Sequence, residues 1–189
     1  MTLIWGGVHA LAERRYQADL AAAVTDMNAG RYAKARSRLT ELVAQRPTWG
    51  EAAYQLGVCE QARGRTEAAL DALARVPRDS ERAGWSDVRS SRLEMDRGRF
   101  ARCEELLVLA AATAGSHVAE ARWGLVLLLR MEGRFDEARR WLEDGFDQMS
   151  SPIVTLRRSY KLDIDPFPIE GVRRALERAG KQAPDDDRV

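Results

Sequence analysis

The sequence predicts an all-α solenoid of about five helix-turn-helix units, and three observations carry that prediction. Gly-Arg recurs four times, as Gly30-Arg31-Tyr32, Gly64-Arg65-Thr66, Gly98-Arg99-Phe100 and Gly133-Arg134-Phe135. The glycines stand 34, 34 and 35 residues apart, an interval that marks stacked helical repeats. Around each glycine the same residue classes return. A small residue lies five places on (Ala35, Ala69, Cys103, Ala138), and a leucine nine places on (Leu39, Leu73, Leu107, Leu142).

Each unit therefore reads as helix, tight turn, helix. Glycine adopts the left-handed conformation that ends the first helix and lets its last carbonyls be capped. The residue two places later, aromatic in all but the second unit, is expected to wedge the second helix against its neighbours. Seven places before the glycines stand Ala23, Gly57, Ser91 and Val126, the first three small enough for two backbones to approach. The leucines then reach the next unit, and stacking buries a stripe that one unit alone would expose.

In chain order, residues 1–15 are an N-terminal extension. Its apolar run Leu3-Ile4-Trp5-Gly6-Gly7-Val8 continues to Leu11, short of the roughly 18 to 20 residues that span a bilayer. No basic residue precedes the run, and Glu13-Arg14-Arg15 follows it where a signal peptide would show small residues. The stretch reads as an extension or as the remnant of a longer anchor. A cytoplasmic location is favoured, with membrane anchoring the alternative if the N-terminus is truncated.

The repeat units fall at about 16–49, 50–83, 84–118, 119–152 and 153–184. In the second, Thr66 stands in the aromatic place and the second helix stops early at Val76-Pro77, so that Asp79-Ser80-Glu81 is placed to cap an early start of the next helix. The fourth opens with an all-round apolar helix containing Leu125 to Leu129, the mark of burial between neighbours. The fifth has Phe167 in the glycine place, with Leu156, Tyr160, Ile169, Val172, Leu176 and Ala179 keeping helical spacing. Residues 185–189 are a tail or the first residues of another unit.

This pattern resembles the tetratricopeptide repeat over residues 16–184: the period, the small residue before the turn, the glycine, the aromatic after it, the alanine in the second helix, and a proline at the unit's end, as at Pro47 and Pro184. The resemblance implies a right-handed superhelix that acts as a non-catalytic protein or peptide scaffold. Its concave groove would be lined by first helices. Counting back ten, six and three places from the glycines names Leu20, Val24 and Met27; Tyr54, Val58 and Gln61; Val88, Arg92 and Met95; and Trp123, Leu127 and Arg130, with Trp85 beside them. Aromatics, Met and Arg favour interface centres. Members that grip acidic chaperone tails place Lys and Asn where this chain has Leu20 and Val24, so that role is not implied. The alternatives are a structural segment of a larger membrane-anchored or multidomain protein, and self-association.

Composition narrows the partner. Formal net charge is +1, so no single-sign field attracts nucleic acid. Arg outnumbers Lys 27 to 3, which a coding bias explains better than anion recognition does. Cys59 and Cys103 lack CxxC spacing and read as reduced, buried and structural. His9 and His117 are too isolated for a zinc site. Ser116 beside His117 reads as a helix cap, and Glu104-Glu105 and Asp163/Asp165 as solvated faces. Without a GxGxxG or P-loop after a strand, no nucleotide, cofactor or small-molecule substrate is expected.

Overall fold

The computed structural model describes the backbone of residues 2–146 and the side chains of residues 12–142. Eight helices occupy that span: α1 (Thr2–Asn28), α2 (Tyr32–Gln45), α3 (Gly50–Ala62), α4 (Thr66–Ala74), α5 (Ala83–Asp96), α6 (Phe100–Ala111), α7 (Val118–Met131) and α8 (Phe135–Phe146). They pack as sequential antiparallel pairs, α1 with α2 through α7 with α8. The described residues fall into two compact units, 2–118, which holds α1 to α6, and 119–146, which holds α8 and all but the first residue of α7. The expected fifth unit at 153–184 and the tail at 185–189 lie outside the described residues.

One turn geometry joins every pair. Gly30, Gly64, Gly98 and Gly133 have φ of 73°, 71°, 71° and 76°. Each glycine N–H donates to the carbonyl three residues back at 2.9–3.0 Å, and each following arginine N–H to the carbonyl five residues back at 2.8–2.9 Å. These two bonds form a Schellman cap, which satisfies carbonyls the helix end leaves orphaned. A Cβ at any of the four would meet nothing within 4 Å, so the dihedral alone demands glycine.

The recurring small and apolar positions form the core. Ala35, Ala69, Cys103 and Ala138 are fully buried, and the four leucines expose at most 2 %. Burial of each such leucine contributes about 1.5 to 3 kcal/mol. Gly57 is small for a reason the structure makes plain: a Cβ there would lie 2.6 Å from Leu73 Cγ. Both cysteines are free and buried. Cys59 Sγ donates to the Tyr32 carbonyl at 3.5 Å, and burial, then neighbouring Glu60, pushes its thiol up, away from the reactive thiolate.

The structure departs from the sequence reading, or adds to it, at four places. Phe100, the first residue of α6, is 39 % exposed and so is not the buried wedge expected there. The early start of the third unit does not occur, because α5 begins only at Ala83. Ser80 Oγ instead accepts the Arg82 N–H at 3.2 Å within a turn, where it fills the space left by the missing side chain of Gly50. His117, in the turn before α7, is buried, seated where Gly84 and Gly115 lack side chains and bonded through Nε2 to Thr113 Oγ1 at 2.7 Å. Finally, α1 starts at Thr2, so one helix covers the stretch read as an extension. No described helix is long and apolar enough to cross a membrane.

Candidate groove on the first helices

The first helices of the first unit, α1, α3 and α5, carry most of the predicted groove positions. Val24, Met27, Val58, Gln61, Trp85 and Met95 are half-buried there, and Arg92 is exposed. These side chains keep surface available to a partner. Leu20 (9 % exposed), Tyr54 (7 %) and Val88 (4 %) are instead nearly covered by the protein's own packing. In the second unit Trp123, Leu127 and Arg130 are half-buried, Trp123 packing against the Val126 and Leu142 core.

The burial of Tyr54 has a specific cause. Two guanidiniums stack on its ring, Arg82 at 5.2 Å and Arg89 at 5.5 Å from the centroid. Arg82 also pairs with Glu51 of α3. Arg89 Nε donates to Tyr54 Oη at 3.4 Å and its Nη1 to Gln61 Oε1 at 2.6 Å. Arg82, just before α5, and Arg89 within it thereby tie α5 onto α3. The hydrogen-bond partners of Arg89 are both neutral, and no carboxylate among the described residues pairs with this half-buried cation. Counting in steps of ten, six and three missed Arg82 and Arg89; Arg89 sits one turn beyond Trp85 and three residues before Arg92, the spacing that shares a helix face.

A second series was also missed. Four places before the first three glycines stand Asp26, Glu60 and Glu94, buried at 3 %, 3 % and 8 % exposure, with Leu129 in the fourth place. Asp26 accepts from Arg31 at 2.8 Å and lies 3.3 Å from Arg38. The Arg31 hydrogen bond, with Lys34, Arg31 and Arg38 nearby, holds its carboxyl below the usual carboxylate range against the opposing effect of burial. Glu60 accepts from Arg36 of α2 at 2.6 Å and from Arg63 at 2.8 Å. Glu94 lies 3.5 Å from Arg99 and 3.8 Å from Arg97, which also pairs with Glu67 of α4. These ion pairs lash turns and neighbouring hairpins together rather than opening a site.

Residues 26–90 match the family model for the tetratricopeptide repeat. The chain carries tetratricopeptide repeats. No curated protein sequence matches it. Among solved structures, the fold is similar to that of Pseudomonas aeruginosa PilF (TM-score 0.70, 13 % identity, covering 93 % of this chain and 87 % of that one). It is also similar to MamA (0.64, 16 %, 86 % and 96 %) and to YrrB, a tetratricopeptide-repeat protein with an unusual peptide-binding site (0.60, 16 %, 95 % and 93 %). At such identities these likenesses establish the tetratricopeptide-repeat fold. Repeats of this family generally mediate protein–protein interaction and are typically non-catalytic.

Proposed function

We propose that the chain is a non-catalytic scaffold that binds a protein or peptide segment along the α1, α3 and α5 groove. The observation that carries this reading is the α3–α5 floor. Arg89 is held in place by Tyr54 and Gln61 with no carboxylate among the described residues pairing with it, the exposed Arg92 stands one turn along the same helix, and Trp85 is half-buried. A partner lays an aliphatic or aromatic side chain against Trp85 and Val58 and brings carboxylates to Arg89 and Arg92, the charge-assisted geometry arginine favours. Trp123, Leu127 and Arg130 offer the same kinds of contact in the second unit.

Peptide display on the purified chain tests the reading. Selected peptides should be enriched in Asp and Glu beside an apolar anchor, and Trp85→Ala and Arg89→Ala should each weaken them at least about tenfold while helicity is unchanged. Peptides that bind both variants as well as the parent protein would remove the groove from consideration. Sedimentation across a concentration range separates this from self-association, which would compete for the same surface.

A further inference from the structure

Glu60 and Glu94 occupy the same repeat place, four residues before a turn glycine, and are held differently. Glu60 on α3 accepts from Arg36 of the preceding hairpin at 2.6 Å and from Arg63 at 2.8 Å. Glu94 on α5 is 8 % exposed, yet its Oε2 accepts no hydrogen bond among the described residues. Both donors have been lost there. Arg36 stands six places after Gly30, and six places after Gly64 the chain carries Leu70. Arg97, in the place of Arg63, turns both terminal nitrogens to Glu67 and stays 3.8 Å from Glu94. Arg99 comes to 3.5 Å without donating. Asp26, in the same place on α1, also leaves Oδ2 without a hydrogen bond, but its Oδ1 accepts from Arg31 and Arg38 stands 3.3 Å from Oδ2.

Beside Leu70 and Glu94 there is room. Both line a cavity of about 330 Å³ between α4, α5 and α6, at the lower end of the range that holds ligands. Three of the arginines in its wall are answered: Arg78 by Asp87, Arg97 by Glu67 and Arg102 by Glu105. That leaves one cation, Arg99, for two carboxylates, Glu94 and the exposed Asp71, which forms no ion pair among the described residues. With Glu105 counted, four arginines face five carboxylates, one positive charge short of neutral. An anion drawn in by the arginines would meet a buried carboxylate, whereas a cation would answer it. Leu70, Val76 and Leu106 supply apolar wall for an alkyl stem.

We propose that this cavity binds an arginine side chain of a partner protein, its guanidinium donating to Glu94 and its methylenes lying against Leu70 and Leu106. The partner supplies from outside the group that Arg36 supplies to Glu60 from within the chain. Guanidinium suits the site better than ammonium, because its planar fork gives one N–H to Glu94 and another to Ser90, one turn back on the same helix face and also in the cavity wall. None of the lining residues belongs to the groove on α1, α3 and α5, so the site stands independently of the groove reading.

Titration of the isotope-labelled whole chain with acetyl-arginine amide, followed by nuclear magnetic resonance, tests this. The amide signals of Leu70, Ser90 and Glu94 should shift and saturate. Glu94→Gln should weaken binding about tenfold or more. Leu70→Arg, which restores the arginine of the first joint, should abolish binding while the chain melts no lower than the parent. Acetyl-lysine amide should bind about fivefold more weakly than the arginine probe. The groove variant Arg89→Ala should bind the probe like the parent, which keeps a failure of the groove reading separate from a failure here. Shifts that do not saturate, binding undiminished by Glu94→Gln, saturable binding of inorganic phosphate in the same cavity, or free L-arginine binding more tightly than the blocked amide would each overturn the proposal.

Discussion

The joint between the first and second hairpins and the joint between the second and third use the same repeat positions for opposite materials. Twelve, eleven and eight places before their glycines, α3 carries Ala52, Ala53 and Leu56, buried against Ala35, Leu39, Leu42 and Val43 of the same apolar cluster. At those places α5 carries Ser86, Asp87 and Ser90, exposed by 4 %, 5 % and 8 %. They line a cavity of about 330 Å³ between α4, α5 and α6, with Arg78, Arg97, Arg99 and Arg102 around its wall. The polar groups are satisfied locally: Ser86 Oγ donates to the Ala83 carbonyl at 2.7 Å, and Asp87 accepts from Arg78 at 2.6 Å. A repeat fold thus holds its shape with an oily joint or a wet one, provided the wet one supplies partners for each buried group.

The largest expected effect comes from moving the wet chemistry into the dry joint. Leu56→Ser leaves a void and a hydroxyl among aliphatic neighbours, and should cost about 3 to 5 kcal/mol in urea unfolding. A loss below about 1 kcal/mol would show the two joints to be equivalent. Steric tests follow. Gly57→Ala drives a Cβ to within 2.6 Å of Leu73 Cγ and Ala69→Leu overpacks a fully buried crossing, each at about 1 to 3 kcal/mol. Gly64→Ala has room for its methyl and should lose only the left-handed strain, about 1 to 2 kcal/mol. Ser90→Leu runs the exchange in reverse, filling space the second joint leaves open. It should be neutral or stabilise by up to about 1 kcal/mol, and a large loss would mean the cavity's polar lining is needed.

The smallest effect is a difference in sign with pH. Asp26, held low chiefly by Arg31, contributes stability that is present above its unfolded pKa and lost as pH falls through the lower folded value. Asp87 is pushed up by burial, which outweighs the Arg78 hydrogen bond. Its contribution is complete below the unfolded pKa and declines as pH rises through the higher folded value. Urea titrations at stepped pH should show Asp26→Asn flattening the acid limb and Asp87→Asn removing a shallow decline just above the carboxylate range. Equal slopes for both variants would contradict the assignment.

The turns and crossings were legible in the sequence because each depends on one local requirement. A positive φ needs glycine, and a helix crossing needs a side chain no larger than Ala or Cys. The carboxylates at Asp26, Glu60 and Glu94 were equally periodic, yet an acid on a helix ordinarily signals solvent. Only the fold brings Arg36 to Glu60 across 24 residues of chain. The residues of the groove list all fall on first helices, but their exposure was not legible in the sequence. Whether Tyr54 is an open anchor or a covered one depends on Arg82 and Arg89 from the next hairpin, a non-local fact no count from a glycine contains. His117 was opaque for the same reason, since its niche is made by what Gly84 and Gly115 lack.

The shortness of α4 has one further meaning. Between Gly30 and Gly64 the chain spends 14 residues on α2, four on a connector and 13 on α3; between Gly64 and Gly98 it spends nine on α4, eight on a connector and 14 on α5. Both routes cover 34 residues from glycine to glycine. The ruler that fixes the spacing of these turns therefore measures contour length rather than helix: a lost turn of α4 is returned as a connector of successive tight turns, and the next glycine still arrives on time.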